Sequence, residues 1–301
     1  MEAVVSDFGA ILVKLIVPNK DGEKADVVLG FDHLEQYEEN PNFFGSTVGR
    51  SANRIGGAAF QIDGVTYHLT ANENENNLHS DFYHGFHKVL WNADMKDGEN
   101  AVVFSYNSPD GENGFPGNLK ISVTYTLKND NSLQISYDGI SDKKTIINMT
   151  NHSYFNLAGC TSGSIHDHVL TVEADAVTSV ADNTLIPTGG YTPVAGTPFD
   201  MRHGLRLGDG LNATHSCPQM TFAGGYDHNF VLRKGEAMGL AARLYDPKSG
   251  RVMETLTDQP GVQVYTACGT DIPGGKGGTH YGKYCAVCLE TQHFPDSPNH
   301  P

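Results

Sequence analysis

Hydrophobic residues alternate with polar ones at a period of two through most of this chain, and runs at the 3.6-residue helical period are almost absent. That pattern marks half-buried strands rather than amphipathic helices. Phe60 and Ile62 alternate with polar neighbours, Asp63-Gly64 follows, and Val65, Tyr67 and Leu69 resume the alternation. Asp-Gly between alternating runs is a strong signal for a two-residue hairpin turn. Leu119, Ile121, Val123, Tyr125 and Leu127 share one strand face, Asn129-Asp130-Asn131 turns the chain, and Leu133, Ile135 and Tyr137 return. Leu240, Ala242 and Leu244 lead through Asp246-Pro247-Lys248-Ser249-Gly250 to Val252, Glu254 and Leu256. Further strands are expected over 262–266 and from Cys285 to Leu289. Many short strands with frequent turns predict an all-β fold, a large antiparallel sandwich or barrel. No composition shift marks a linker, so one domain over 1–301 is expected.

The charge balance excludes some partners. Lys and Arg number 20 against 35 Asp and Glu, a formal net charge of −15. Such an acidic surface argues against nucleic acid and anionic membranes. No apolar run is long enough to span a bilayer, and the first residues lack the basic start of a signal peptide. The five cysteines are Cys160, Cys217, Cys268, Cys285 and Cys288. Cys285-x-x-Cys288 has no second pair at zinc-ribbon spacing and falls in an apolar stretch, so it is expected to be structural. A cysteine set of this kind suits a reducing, cytoplasmic setting.

Several polar positions stand out against this scaffold. Asn151-His152-Ser153-Tyr154-Phe155 sets a histidine among polar and aromatic neighbours, where an imidazole can move protons near neutral pH. A histidine merely satisfied by hydrogen bonds at a strand end is an equal alternative on that segment alone. Asn53 and Arg54 lie in a small-residue loop with Arg50, and Arg offers a planar fork of donors. His79 follows the polar loop Thr70–Leu78 and starts a run that includes His84 and His87. No His-Glu-x-x-His pattern accompanies them, and no metal is expected. Asp227 follows two glycines, where it could accept ligand hydroxyls or simply cap an Asx-turn. Glu290 alternates out of phase with Cys285, Val287 and Leu289, so it should point away from them, beside Ala286 and Cys288. A carboxylate among small, partly apolar neighbours should have a raised pKa. The chain carries no Ser-His-Asp elbow, phosphate loop or dinucleotide fingerprint. The set suits proton transfer on a neutral, polyhydroxylated ligand.

Taken in order, these motifs resemble the aldose 1-epimerase (galactose mutarotase) family. They are Gly49-Arg-Ser-Ala-Asn-Arg-Ile55, Asn77-Leu-His79 with Gly85-Phe86 and Trp91, Asn151 to Gly159, Asp182 to Gly189, Tyr226-Asp-His-Asn-Phe230, Pro260 to Thr266, and Leu289-Glu-Thr-Gln292. The resemblance covers essentially the whole chain. It implies a large antiparallel β-sandwich (a super-sandwich) of one domain, shortened at both ends relative to the family, with Pro301 closing the chain soon after Glu290. It also implies Glu290 as catalytic base, His152 as catalytic acid and His79 as a second histidine near the ring oxygen. Arg54, Asn53, Asp227 and Gln263 become binders of sugar hydroxyls. The implied partner is a small aldose sugar, with no cofactor, no nucleic acid and no membrane, in a monomer or homodimer.

The implied reaction interconverts α and β anomers through ring opening, with ionised Glu290 and protonated His152 in the resting complex and hence a bell-shaped pH profile. A non-catalytic sugar-binding module would keep Arg54 and Asp227 but would not need Glu290 and His152 together. A glycoside hydrolase would require two flanking carboxylates. A relative acting on hexose phosphates would require a basic cluster that Arg50 and Arg54 do not make.

Overall fold

The computed structural model describes residues 1–300. Strands make up most of the regular secondary structure among the described residues, and the three α-helices, Glu35–Glu39, Leu207–Asn212 and Pro218–Ala223, are short. No helix among the described residues is long and apolar enough to cross a membrane. The chain forms two compact units. One comprises Met1–Val13, Ser46–Thr150 and the segment from Asp296 onward; the other comprises Lys14–Gly45 and Asn151–Pro295.

In the first unit, four strands pair antiparallel in the order Leu133–Ser141, Leu119–Leu127, Ala101–Ser108, Asn92–Lys96. The register from Leu119↔Ser141 to Leu127↔Leu133 confirms the turn at 129–131, and Leu119, Ile121, Val123 and Tyr125 are buried as their alternation requires. The Ala59–Ile62 and Val65–His68 hairpin closes on Asp63 and Gly64, with φ of 51° and 80°. Two successive left-handed residues match the right-handed twist of the flanking strands, which is why Asp-Gly suits the turn. Phe60 and Phe115 stack at 5.7 Å in the small core beneath it, beside Ile55, Ala58 and Leu69.

In the second unit, a five-stranded sheet runs in the order Pro187–Pro193, Ala174–Val180, Asp227–Leu232, Gly261–Tyr265, Cys288–Gln292. Its last three strands are mostly buried on both faces. Phe230, Val262, Val264 and Leu289 build an apolar face along register pairs Phe230↔Val262 and Val264↔Leu289. The other face carries Asp227, Asn229, Gln263 and Glu290. Burying a large apolar side chain of this kind stabilises the fold by roughly 1.5–3 kcal/mol, so the apolar face anchors the polar one.

Two strand expectations are corrected. The expected strand over Cys285–Leu289 begins at Cys288 and runs to Gln292. Tyr284 has φ of 63° and the Cys285 amide bonds Gly282 O, so the chain is still turning there. Val252 and Leu256, expected in step with the apolar Leu240 series, are 46% and 60% exposed. The turn at 246–250 sets Val252 opposite Tyr245 and Met253 opposite Leu244, so Val252 and Leu256 fall on the other face from the buried Ala242 and Leu244.

Candidate active site

His152 and Glu290 are brought together by backbone pairing. Phe155 forms an isolated antiparallel bridge with Val287, its amide donating to Val287 O at 2.8 Å and receiving the Val287 amide at 3.0 Å. Three residues back from Phe155 stands His152, and three residues on from Val287 stands Glu290. Antiparallel geometry therefore sets the two side by side, with His152 Nε2 3.6 Å from Glu290 Oε2. Both are buried, at 5% and 2% exposure.

Aromatic rings hold the imidazole in plane. Tyr154 stacks on His152 at 5.0 Å and Phe43 at 5.9 Å, both inclined at 18°, and Tyr265 meets it edge-on at 6.3 Å. The Gly45 amide donates to His152 O at 3.0 Å, and Asn151 Nδ2 donates to Gly45 O at 2.9 Å. These bonds tie the histidine's backbone to the segment that carries Phe43.

Burial pushes the His152 imidazole from the usual 6.5 down to about 4, with Asp227 pulling weakly the other way. Desolvation disfavours the charged ring. The ring is therefore neutral near pH 7 in the free protein, whereas the expected imidazolium belongs to the sugar complex. The shift also couples to folding. Between the two values the unfolded chain binds a proton that the folded ring refuses, so this stability is full above pH 6.5 and lost as pH falls toward 4. A shift of that size is worth roughly 3 kcal/mol. The His152→Gln variant is expected to lose correspondingly less stability than the wild type between pH 7 and pH 4. Urea unfolding at both pH values reads the difference, and equal losses in the two proteins would contradict it.

The other polar residues of this unit line up with the sheet. Gln263 lies directly opposite Glu290 in register. Gln263 Nε2 donates to Asp227 Oδ1 at 2.6 Å. A carboxylate held this way stays an acceptor with a fixed direction, which suits recognition of a hydroxyl.

In the first unit, backbone pairing draws Asn53, Arg54 and His79 together. The Arg54–Ile55 strand pairs with Asn77–Leu78, register Arg54↔Leu78. The Asn53 amide donates to His79 Nδ1 at 3.1 Å, and the His79 amide donates to Asn53 O at 3.1 Å. Asn53, His79 and Ser80 all adopt left-handed φ, at 61°, 54° and 68°. Such strain tends to gather at functional sites. Arg54 is already bidentate to Glu73, Nε and Nη2 reaching the carboxylate at 2.7 and 2.9 Å. Glu73 was not singled out in the sequence, although it lies in the polar loop before His79. The asparagines of that loop serve the loop itself: Asn72 bonds Leu78 in both directions, and Asn77 Nδ2 reaches Thr70 O and Ser80 O.

Other candidates take structural roles. Arg50 is buried and donates to Ser108 Oγ, Pro116 O and Pro109 O. His84 Nδ1 lies 3.2 Å from Asp81 on an exposed side chain, while buried His87 contacts Phe82 O. The five cysteines are free, and burial pushes the Cys285 thiol up to about 12 and Cys288 well above its usual value. Thiols held protonated in this way are poor nucleophiles and poor ligands. The aromatic walls, Phe43 and Tyr265, carried no motif of their own. Tyr154 was visible within the His152 segment, but nothing in its type told stacking from ordinary core.

A family model described as aldose 1-epimerase matches residues 1–301. Galactose mutarotase from Rattus norvegicus is 45% identical over 300 residues, covering 99% of this chain and 84% of that protein. Aldose 1-epimerase from Escherichia coli is 34% identical over 302 residues, covering 100% and 85%. The crystal structure of an aldose epimerase homologue from C. elegans superposes with a TM-score of 0.86 at 32% identity, over 98% of this chain and 87% of that one. Fold and relatives together define an isomerase of the racemase and epimerase class, built on an antiparallel β-sandwich. The chain belongs to the aldose 1-epimerase family, and its substrate is an aldose.

Proposed function

We propose that this enzyme interconverts the α and β anomers of free hexoses such as galactose and glucose, with Glu290 as base and His152 as acid. The observation that carries the assignment is the buried approach of His152 Nε2 to Glu290 Oε2 at 3.6 Å. Glu290 takes the proton from the anomeric hydroxyl. The C1–O5 bond breaks, its electrons go to O5, and O5 takes a proton from His152. The open aldehyde rotates about C1–C2. Attack of O5 on the opposite carbonyl face returns one proton to His152, and Glu290 returns the other to O1. The pair thus carries one proton throughout, first on His152 and then on Glu290. Burial opposes the starting charge on His152, and a neighbouring carboxylate favours it. The limbs of the pH profile therefore belong to the pair rather than to either residue.

Asp227 and Gln263 bind sugar hydroxyls, supported by their mutual hydrogen bond on the Glu290 face. Arg54, Asn53 and His79 serve the sugar as well, supported by the family motifs they belong to. The reading extends to a carbohydrate-binding enzyme of one domain, consistent with a single family model matching 1–301. It also takes the enzyme to be cytoplasmic, without cofactor, nucleic acid or membrane partner, and monomeric or homodimeric; cysteine usage and the acidic charge support this. Polarimetry on freshly dissolved α-D-galactose and α-D-glucose tests the assignment. Folded protein should speed the approach to anomeric equilibrium. No acceleration would leave only a sugar-binding module.

A further inference from the structure

The sheet that holds Glu290 carries a second amide that the reaction does not use. Register pairs Asn229↔Gln263 and Gln263↔Glu290 place three polar side chains in one transverse row. Directly opposed residues of antiparallel strands share a face. Asn229 is 1% exposed and Gln263 is 3% exposed. Neither Oδ1 nor Nδ2 of Asn229 has a hydrogen-bond partner in the protein, and Gln263 Oε1 has none either. A Cβ added at Gly261 would run into Asn229 Oδ1, and the Phe294 ring packs on the same spot. The amide therefore occupies a tight, built place rather than a loose edge.

A buried amide without partners costs roughly 1–3 kcal/mol per unpaired group. Leucine, of similar size, would lack that cost. On stability alone Asn229 is the wrong residue for its position. Its neighbour supplies a reason. Gln263 Nε2 faces the Asp227 carboxylate at 2.6 Å, so its Oε1 must point elsewhere. A carboxamide turned over would present oxygen to carboxylate and repel it. The group that would hold Gln263 in its working orientation is a donor near Oε1, and Asn229 Nδ2 is the unpaired donor next in the row.

We propose that Asn229 is a positioning residue for sugar binding: its amide, unpaired in this structure, turns onto Gln263 Oε1 when the sugar binds and so holds the Gln263 carboxamide, and through it the Asp227 carboxylate, in the orientation that receives the sugar. The proposal rests on the assignment of Asp227 and Gln263 as sugar binders. Its mark is an opposition between stability and activity. Asn229→Leu should melt at a higher temperature than the wild type and yet show about a tenfold lower kcat/KM for galactose mutarotation, mainly through KM. Once Gln263→Ala is present, Asn229→Leu should add little further loss, because both act through one amide. Asn229→Gln tests whether the amide itself matters, by restoring part of the KM. A leucine variant that is less stable than the wild type, or one with unchanged KM, overturns the proposal. So does full additivity with Gln263→Ala. Inactive wild-type protein would instead count against the mutarotase assignment, and the melting comparison would still read the role of Asn229.

Discussion

Glu290→Gln is expected to keep the fold and to lower kcat by about 10²–10⁴-fold, the usual worth of one acid–base group. Glutamine matches glutamate in size and keeps an oxygen opposite Gln263. The buried strand Cys288–Gln292 therefore has no reason to move. What disappears is the ability to accept the anomeric proton. The charge that favours a proton on His152, 3.6 Å away, disappears with it. KM should change far less than kcat, because the hydroxyl-binding groups stay in place. Polarimetry with a thermal melt on the same sample measures both sides. Wild-type activity in a folded Glu290→Gln protein would remove Glu290 from the mechanism.

A second large effect is expected far from the chemistry in sequence. Lys276 is 4% exposed, and its Nζ donates to Asp26 Oδ2 at 2.7 Å and to Val28 O at 2.8 Å. Asp26 Oδ1 accepts the Leu15 amide at 3.0 Å and the Val28 amide at 3.2 Å. Asp26→Ala would strand a buried ammonium and two backbone donors. Breaking a buried pair from one side costs roughly 3–5 kcal/mol. Replacing both partners by apolar residues, Asp26→Leu with Lys276→Met, should cost less than Asp26→Ala alone, because no charge is left unpaired. Urea unfolding gives the comparison, and a double variant as unstable as Asp26→Ala would contradict the account. The same stretch supports the site: the Leu29 amide donates to Tyr154 O and the Asn156 amide to Val27 O, each at 2.9 Å. Tyr154 is the ring stacked on His152. The Asp26→Ala protein should therefore also lose activity at temperatures below its melting point.

Much of the architecture is legible in the alternation. The hairpin at Asp63-Gly64 and the long pair around 129–131 follow from local rules: period-two burial and turn residues that tolerate positive φ. The alternation fails where geometry is not local. The turn after Tyr245 sets Val252 opposite Tyr245 and so puts Val252 and Leu256 on the exposed face, and no residue type announces that register. The start of the Glu290 strand was misplaced for a similar reason, since buried apolar residues at 285–287 read as strand whether the chain is extended or turning.

The site divides along the same line. His152 and Glu290 were nameable because their residue types have few other uses among such neighbours, and because the motifs around them are specific. Their meeting depends on Phe155 pairing with Val287, a contact between segments 132 positions apart that neither segment encodes by itself. The neutral state of His152 in the free protein was not legible because burial, not neighbouring residue types, sets it. Glu73 and Asn229 escaped notice because an acid in a polar loop and an asparagine in a strand look ordinary until their partners, or the lack of them, appear.

By itself, then, the sequence determined an all-β chain, the candidates for proton transfer and the family to which the chain belongs, since these rest on local periodicity, residue chemistry and specific motifs. Only the tertiary structure decided which carboxylate faces which imidazole, which amide holds which acceptor, and how far water is kept from His152. Those depend on strand register and on burial, which arise between segments and not within them.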